Sequence, residues 1–393
     1  RNGEGDVVRE ISDACRHHGI GFGTYLSPWD RNHAEYGRPA YLQYFRNQLE
    51  ELTSEYGELF EVWFDGANGG KGYYGGAKEL RSIDRKTYYD WENTREIVRR
   101  NQPDAVMFSD AGPDVRWVGN EKGIAGNPCW STVDPNLLFP GIDKDSFKTR
   151  LSSDMVAAWD SPTDLLNSGD RQGSHWLPAE CDVSIRPGWF YHAAEDDRVR
   201  SPENLLDLYF KSIGRGASFL LNLPPDRRGL VHENDIRTLQ GFRRILDESF
   251  AHNLAQKAEC SASNTRGGLG QFEPAHVTDG NDETYWATDD DSMNPELILD
   301  FPQPVTFNLI KLREFLPLGQ RIDRFAVDID DGGRWREWCS KQAIGAHRLI
   351  RGRGATTRRV RLRIVESAAC PAVSEFALFY GDQIAEPRSP GDA

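Results

Sequence analysis

Glu61-Val62-Trp63-Phe64-Asp65-Gly66-Ala67-Asn68-Gly69-Gly70 decides the fold, because an apolar run there delivers one carboxylate and then breaks into glycines. Leu59 to Phe64 reads as a strand buried on both faces, as in a parallel sheet, with Asp65 at its C-terminal end. In an α/β barrel that end is the catalytic face. A carboxylate there supplies a nucleophile or base, and Trp63 and the Trp29 of Tyr25-Leu26-Ser27-Pro28-Trp29-Asp30 supply aromatic platforms, which together suit cleavage of a sugar. Taken alone, the motif fits better an Asp that ends a strand and caps the next loop.

Outward from this strand the chain keeps one rhythm. Gly5 to His18 places Val8, Ile11, Cys15 and His18 at helical spacing, Gly19 stops the helix, and a strand from Ile20 to Ser27 follows. Pro39 opens a helix whose Leu42, Phe45, Leu49, Leu52 and Tyr56 hold a helical period until Gly57. After a Gly/Tyr-rich loop, Lys71 to Gly76, a helix near Tyr88 to Asn101 leads into strand Ala105 to Ser109. Strand Cys181 to Ile185, helix Pro202 to Ile213, strand Ser218 to Leu223 and helix Glu233 to His252 continue the alternation of a parallel sheet. Strands ending at Ser27, Phe64, Ser109, Ile185 and Leu223 fall short of the roughly eight that close a barrel. The expected fold is therefore α/β, a partial (β/α) TIM-type barrel over residues 1–252 that lacks its first strands. Asp110 to Pro178, rich in Pro, Gly, Asp and Trp, reads as a functional loop.

From about Glu259 the pattern changes to short alternating segments, Glu296 to Phe301, Phe307 to Arg313, Arg324 to Ile329, Arg358 to Val365 and Glu375 to Tyr380, between Gly, Asp and Asn turns. That is the mark of an antiparallel sandwich, expected over 259–381, with 382–393 as a tail.

Composition excludes several classes of partner. A net charge of −14 with no offsetting Lys/Arg cluster argues against nucleic acid and anionic membrane. Apolar runs such as Ser218 to Leu223 are far short of the ~20 residues that cross a bilayer. Six cysteines show no Cys-x-x-Cys pairing for zinc. Cys260 and Cys370 stand near the two ends of the C-terminal segment and could bridge, although small buried free thiols are the commoner case. The start, Arg1-Asn2-Gly3, has neither an initiator Met nor a signal peptide, so processing or fragmentation is expected to have removed a preceding stretch.

Retaining glycosidases use two carboxyl groups about 5–5.5 Å apart, one nucleophile and one proton donor. Asp65 suits the first role. Glu121, in Trp117-Val118-Gly119-Asn120-Glu121, suits the second, since apolar neighbours there would help it keep a proton. Asp110, Asp114, Glu180 and Asp182 are rivals. The first two flank a Gly-Pro turn and read as its caps, and at least one of the second two is expected to hold a loop or contact a leaving sugar.

Five ordered segments, Tyr25 to His33, Trp63 to Ala67, Phe108 to Asp114, Arg116 to Glu121 and Asp182 to His192, resemble glycoside hydrolase family 29, the α-L-fucosidases, in the branch acting on α-1,3/1,4-linked fucose. The resemblance implies a retaining exo-α-L-fucosidase with Asp65 as nucleophile and Glu121 as acid/base. It matches Tyr25 to a tyrosine that hydrogen-bonds the nucleophile region, for which core packing is the equal alternative. Arg186 and Trp189 are expected to line the fucose pocket, and Trp29 and His33 to face the leaving group, although a lone surface His more often does nothing. A family His-His pair that holds the sugar ring has no counterpart here, since His17-His18 lies on the first helix. The implied partner is a fucosylated oligosaccharide or glycoconjugate, met in the periplasm or outside the cell, and no cofactor is implied for catalysis.

Val277 to Thr288, Asn308 to Glu314 and Ser374-Glu375-Phe376 resemble the discoidin (F5/8 type C) jelly roll, which often binds carbohydrate and carries a structural calcium. Asp279, Asn281, Asp282, Thr284 and Glu375 offer hard oxygens for such an ion, with an Asx-rich turn and no ion as the alternative. A non-catalytic glycan-binding protein that uses this sandwich is the rival reading of the whole chain.

Overall fold

A strand that must bury apolar side chains on one face and present reactive ones on the other can do so only by alternating them. Residues 61–65 do this in the computed structural model, which describes residues 3–30, 32–65, 70–74, 76–84, 87–109, 112–138 and 163–384. Contacts divide the chain into two units, 1–119 with 132–166 and 172–178, and 120–131 with 167–171 and 179–393.

In the first unit α1 (Val7–His18), β1 (Gly23–Tyr25), α2 (Pro39–Ser54) and β2 (Glu61–Trp63) follow in order. A hairpin of β3 (Gly70–Tyr74) and β4 (Glu79–Ile83), α3 (Trp91–Asn101), β5 (Val106–Ser109) and β6 (Val115–Trp117) come next, and β7 (Thr132–Val133) pairs antiparallel with β8 (His175–Trp176). The sheet runs β1-β2-β5-β6 and is parallel throughout. Val62 and Phe64 are buried with Tyr41, Phe45 and Leu49 of α2 and Val98 of α3. Glu61, Trp63 and Asp65 take the alternate positions.

Several details depart from the sequence reading. The expected loop at Lys71 to Gly76 is mostly hairpin. The expected irregular stretch after Asp110 contains β6, whose central Arg116 hid it by interrupting the apolar pattern. Arg116 is buried, with Nε donating to the Leu166 carbonyl at 2.9 Å and Nη1 to that of Leu177. On α1 the expected apolar stripe is not what docks. Ser12 is 2% exposed and donates its hydroxyl to the Tyr56 carbonyl at 2.6 Å, whereas Ile11 is 50% exposed. Arg31, Gly66 to Gly69, Asp110, Ala111 and the tail beyond Ile384 lie outside the described residues.

The second unit opens with β9 (Ala179–Ser184), α4 (Pro202–Lys211), β10 (Ser218–Asn222) and α5 (Glu233–Ser249), β9 and β10 being parallel. Cys181, Val183 and Ile185 alternate with Glu180, Asp182 and Ser184 along β9. α4 carries a broad apolar face beside a polar edge of Glu203, Asn204, Asp207 and Lys211, and that face is wide enough to be covered from two sides. Leu205 and Leu208 pack with Val183 and Ile185, while Leu206 and Phe210, with Ile245 of α5, pack on Leu309, Leu349 and Phe379 of the sandwich that follows.

That sandwich is antiparallel and consists of β11 (Glu259–Ala262), β12 (Trp286–Ala287), β13 (Glu296–Glu314), β14 (Ile322–Asp330), β15 (Trp335–Gln342), β16 (Arg348–Ser367) and β17 (Ala372–Phe379). Its order is β12-β17-β13-β16-β14-β15, with β11 on β13, around a core that includes Trp286, Leu297, Phe307, Phe325, Leu362 and Phe376. Two strands expected at Glu296 to Phe301 and Phe307 to Arg313 are the single β13. Pro302 and Pro304 fall where its register shifts between Asp300 and Val305, bending the strand without ending it. Cys260 and Cys370 are free thiols, the first beside Thr278 and the second beside Arg321. The whole is a parallel half-barrel followed by an antiparallel sandwich.

Glu314, at the end of β13, is buried and accepts the backbone N–H groups of Arg321, Ile322 and Gly345 at 2.6, 2.9 and 2.7 Å. Burial outweighs these donors and pushes its carboxyl up to about 7. Unfolded, the group titrates near ~4.3. Between those values the folded chain binds the extra proton, so stability falls as pH rises from about 5 to 8. Urea unfolding at both pH values should show that slope in the wild type and a flatter one in Glu314→Gln; equal slopes would reject it.

Candidate active site

The C-terminal ends of β1 and β2 bring Tyr25 and Asp65 together. Register pairs Tyr25 with Trp63 and Trp63 with Phe108, so three rings line up across three strands. Tyr25 and Trp63 stack at 5.4 Å, and Trp63 and Phe108 at 4.0 Å with planes 5° apart. This row places the Tyr25 hydroxyl over the end of β2, where it donates a hydrogen bond to Asp65 Oδ2. Burial, reinforced by Asp65, pushes the Tyr25 phenol well above its usual range, so it keeps the proton it donates. The ring is nevertheless 57% exposed, at an open strand end and not in a core.

Trp29 and His33 follow on the loop after β1. The Trp29 N–H donates to Ser27 Oγ at 3.2 Å, and its ring is partly exposed. His33 lies against α2, its ring 4.5 Å from that of Tyr44 and 5.3 Å from that of Tyr41, with Nδ1 accepting the Glu35 N–H at 3.2 Å. Asp114, expected to cap the Gly-Pro turn, instead ties neighbouring elements together. It accepts the Met107 N–H at 2.7 Å and pairs with Arg99, tying β5 to α3.

Glu121 belongs to the second unit and is exposed on a tight loop. Asn120 shapes that loop, accepting the Lys122 N–H at 3.0 Å and donating to the Ile124 carbonyl at 2.8 Å. Gly123 follows with φ +71, where a Cβ would meet Val183 Cγ1 at 2.9 Å, so the turn needs glycine twice over. Glu121 Oε2 accepts a hydrogen bond from the Trp189 indole Nε1 at 3.2 Å. Asp65 and Glu121 fall in different units.

Trp189 is held from behind. Ser184 Oγ donates to the Gly188 carbonyl at 2.7 Å, and Asn222 Nδ2 to the Trp189 carbonyl at 3.0 Å. Sequence reasoning missed Ser184 and Asn222, whose only signal is their place at the ends of adjacent parallel strands. Glu180 and Asp182 stand inside β9, both buried, and Glu180 Oε2 accepts the Ser218 hydroxyl at 3.0 Å. Arg186, expected to line a sugar pocket, is instead 1% exposed, with Nε and Nη2 each 2.9 Å from Asp235 oxygens and Nη1 2.8 Å from Asp196 Oδ1. A guanidinium with every nitrogen engaged by carboxylates under a strand end is not free to meet a ligand.

The expected ion site of the sandwich is a turn in which Asp279 accepts the Thr284 hydroxyl at 2.7 Å and the Asn281 N–H at 2.8 Å. Asp282 pairs with Arg313, and Glu375 with Lys311 at 2.8 Å. Among the described residues no group of three or more His, Cys, Asp or Glu converges on one point. No helix among them is long and apolar enough to cross a membrane.

Residues 1–129 match the family described as alpha-L-fucosidase, and residues 257–376 the F5/8 type C domain. The chain is 38% identical over 384 residues to Alpha-L-fucosidase 1 of Arabidopsis thaliana, covering 96% of this chain and 70% of that one. Among solved structures, a glycoside hydrolase family 29 fucosidase of Ruminococcus gnavus in complex with fucose superposes with a TM-score of 0.81 at 30% identity, over 98% of this chain and 77% of that one. A glycoside hydrolase family 29 member from an unknown rumen bacterium does so at 0.78 and 36%, over 100% of this chain and 62% of that one.

Proposed function

This chain belongs to the α-L-fucosidases of glycoside hydrolase family 29 and carries an F5/8 type C domain, and on that footing we propose that it is a retaining exo-α-L-fucosidase. Its proposed substrates are oligosaccharides or glycoconjugates ending in α-1,3- or α-1,4-linked fucose, met in the periplasm or outside the cell, and the chemistry calls on no cofactor. The single observation that supports this best is the Tyr25 hydrogen bond to Asp65 across the ends of two neighbouring parallel strands. A phenol that keeps its proton and donates to Oδ2 fixes the carboxylate's rotation and leaves Oδ1 as the attacking oxygen. In the proposed reaction Asp65 attacks the anomeric carbon while Glu121 gives its proton to the departing glycosidic oxygen. Glu121 then takes a proton from water, whose oxygen displaces Asp65 and releases fucose.

In the protein as its full reading frame encodes it, Asp65→Ala should lower turnover of an aryl α-L-fucoside on the order of 10⁴-fold or more. Glu121→Ala should spare substrates with activated leaving groups and respond to azide. Wild-type turnover by the Asp65 variant would exclude it as nucleophile. Equal kcat/KM on α-1,2- and α-1,3/1,4-linked fucose would remove the linkage assignment.

Contacts to the pyranose hydroxyls in such an enzyme come from strand ends all round a barrel. In the first unit β1 borders the sheet with Ile20 and Tyr25 exposed. We therefore propose that residues 1–393 alone turn over an aryl fucoside at least ~100-fold more slowly than the full reading frame's product, since small misplacements cost that much. Matching rates for the two would overturn this.

For the sandwich turn the reading is a structural calcium held by Asp279, Asn281 and Thr284, joined by Asp282 and Glu375 once Arg313 and Lys311 release them. Millimolar calcium should then raise the unfolding temperature and a chelator lower it again. No change with either would leave an ion-free Asx turn.

A further inference from the structure

Arg186 is a fully buried cation of the half-barrel, 1% exposed. Burying a guanidinium costs several kcal/mol unless carboxylates and hydrogen bonds neutralise it closely. Here Asp235, 0% exposed in the first turn of α5, takes Nε and Nη2 in a two-pronged pair, and Asp196 takes Nη1. Asp196 is itself gripped on its other oxygen by the Tyr191 hydroxyl at 3.3 Å and His232 Nε2 at 3.4 Å, while Asn234 Nδ2 holds its backbone carbonyl at 2.7 Å. The Tyr191 ring lies 4.8 Å from the guanidinium. Every one of these groups pins the segment from Arg186 to Asp196 to the start of α5, and that segment carries Trp189.

The indole of Trp189 can only donate. Its bond to Glu121 Oε2 occupies that oxygen as an acceptor and so favours Oε1 as the oxygen that bears a proton. We propose that the Asp235–Arg186–Asp196 clamp is a positioning device for acid catalysis. Through Trp189 it sets which oxygen of Glu121 carries the proton and where that proton points. The inference rests on the reading of Glu121 as acid/base. Arg186, Asp196 and Asp235 touch no substrate in it. They act by holding the segment, as the strand-end bonds of Ser184 and Asn222 hold its other side.

The test compares leaving groups. Protonation matters greatly for a saccharide leaving group and little for 2,4-dinitrophenolate, so a misplaced acid reveals itself in the ratio of the two kcat/KM values. In the protein as its full reading frame encodes it, Arg186→Lys and Asp196→Asn should lose at least about tenfold more on a fucosylated saccharide than on 2,4-dinitrophenyl α-L-fucoside. General acid catalysis is worth about 10²–10⁴-fold, which leaves room for that difference. Trp189→Phe should show the same asymmetry. Arg186→Lys keeps the charge but not the fork, and Asp196→Asn keeps the shape at the more exposed end of the clamp, so the second carries the test if the first fails to fold. Equal losses on both substrates, or none on either, would overturn the clamp as a positioning device. Glu121→Gln run in parallel separates the two claims: if it shows no leaving-group asymmetry, the acid/base assignment fails first.

Discussion

The constraint on which the catalytic half depends is the two-residue period of a strand that must serve a core and a reactive face at once. In β2, Val62 and Phe64 meet the helices, so Trp63 and Asp65 are turned the other way. β9 does the same with Val183 and Ile185 on one side and Glu180, Asp182 and Ser184 on the other. Along β9 the polar groups of that second face are withdrawn from water and need partners, whereas Asp65 at the end of β2 is exposed. The parallel register supplies them at matching heights: Tyr25 for Asp65, Ser218 for Glu180, Asn222 for Ser184. Geometry at the strand ends is therefore a by-product of satisfying the sheet's own polar side chains.

The apolar seam between the sandwich and the strands before it is built on two helices. α4 and α5 turn one set of apolar residues to β9 and β10 and another to β13, β16 and β17. Asp207 of α4 sits between Lys211 and Arg351, adding a charged contact at the rim of that apolar seam. Because α5 also supplies Asp235 to Arg186, the helix that seats the sandwich is the one that anchors the Trp189 segment.

Much of this was legible from residues alone. Periodicity located α2, α4 and α5 to within a few residues, the apolar run before Asp65 located a strand end, and the change to short alternating segments located the sandwich. What failed had a physical cause each time. Arg116 disguised β6 because a buried arginine bound to carbonyls looks like an exposed one. The stripe on α1 misled because one serine hydroxyl on the Tyr56 carbonyl docks the helix. Prolines divided β13 on paper because they break a ladder bond, although the strand continues through the bulge.

By itself the sequence determined the order of elements and the two carboxylates worth attention, since alternation, capping and turn chemistry act between residues a few positions apart. Only the tertiary structure decided what the charged residues do. Arg186 and Asp235 are 49 residues apart, and nothing local distinguishes an arginine waiting for a sugar from one spent on a buried carboxylate. That choice is made by burial, which forces a charge to find its counter-charge wherever the fold has brought one.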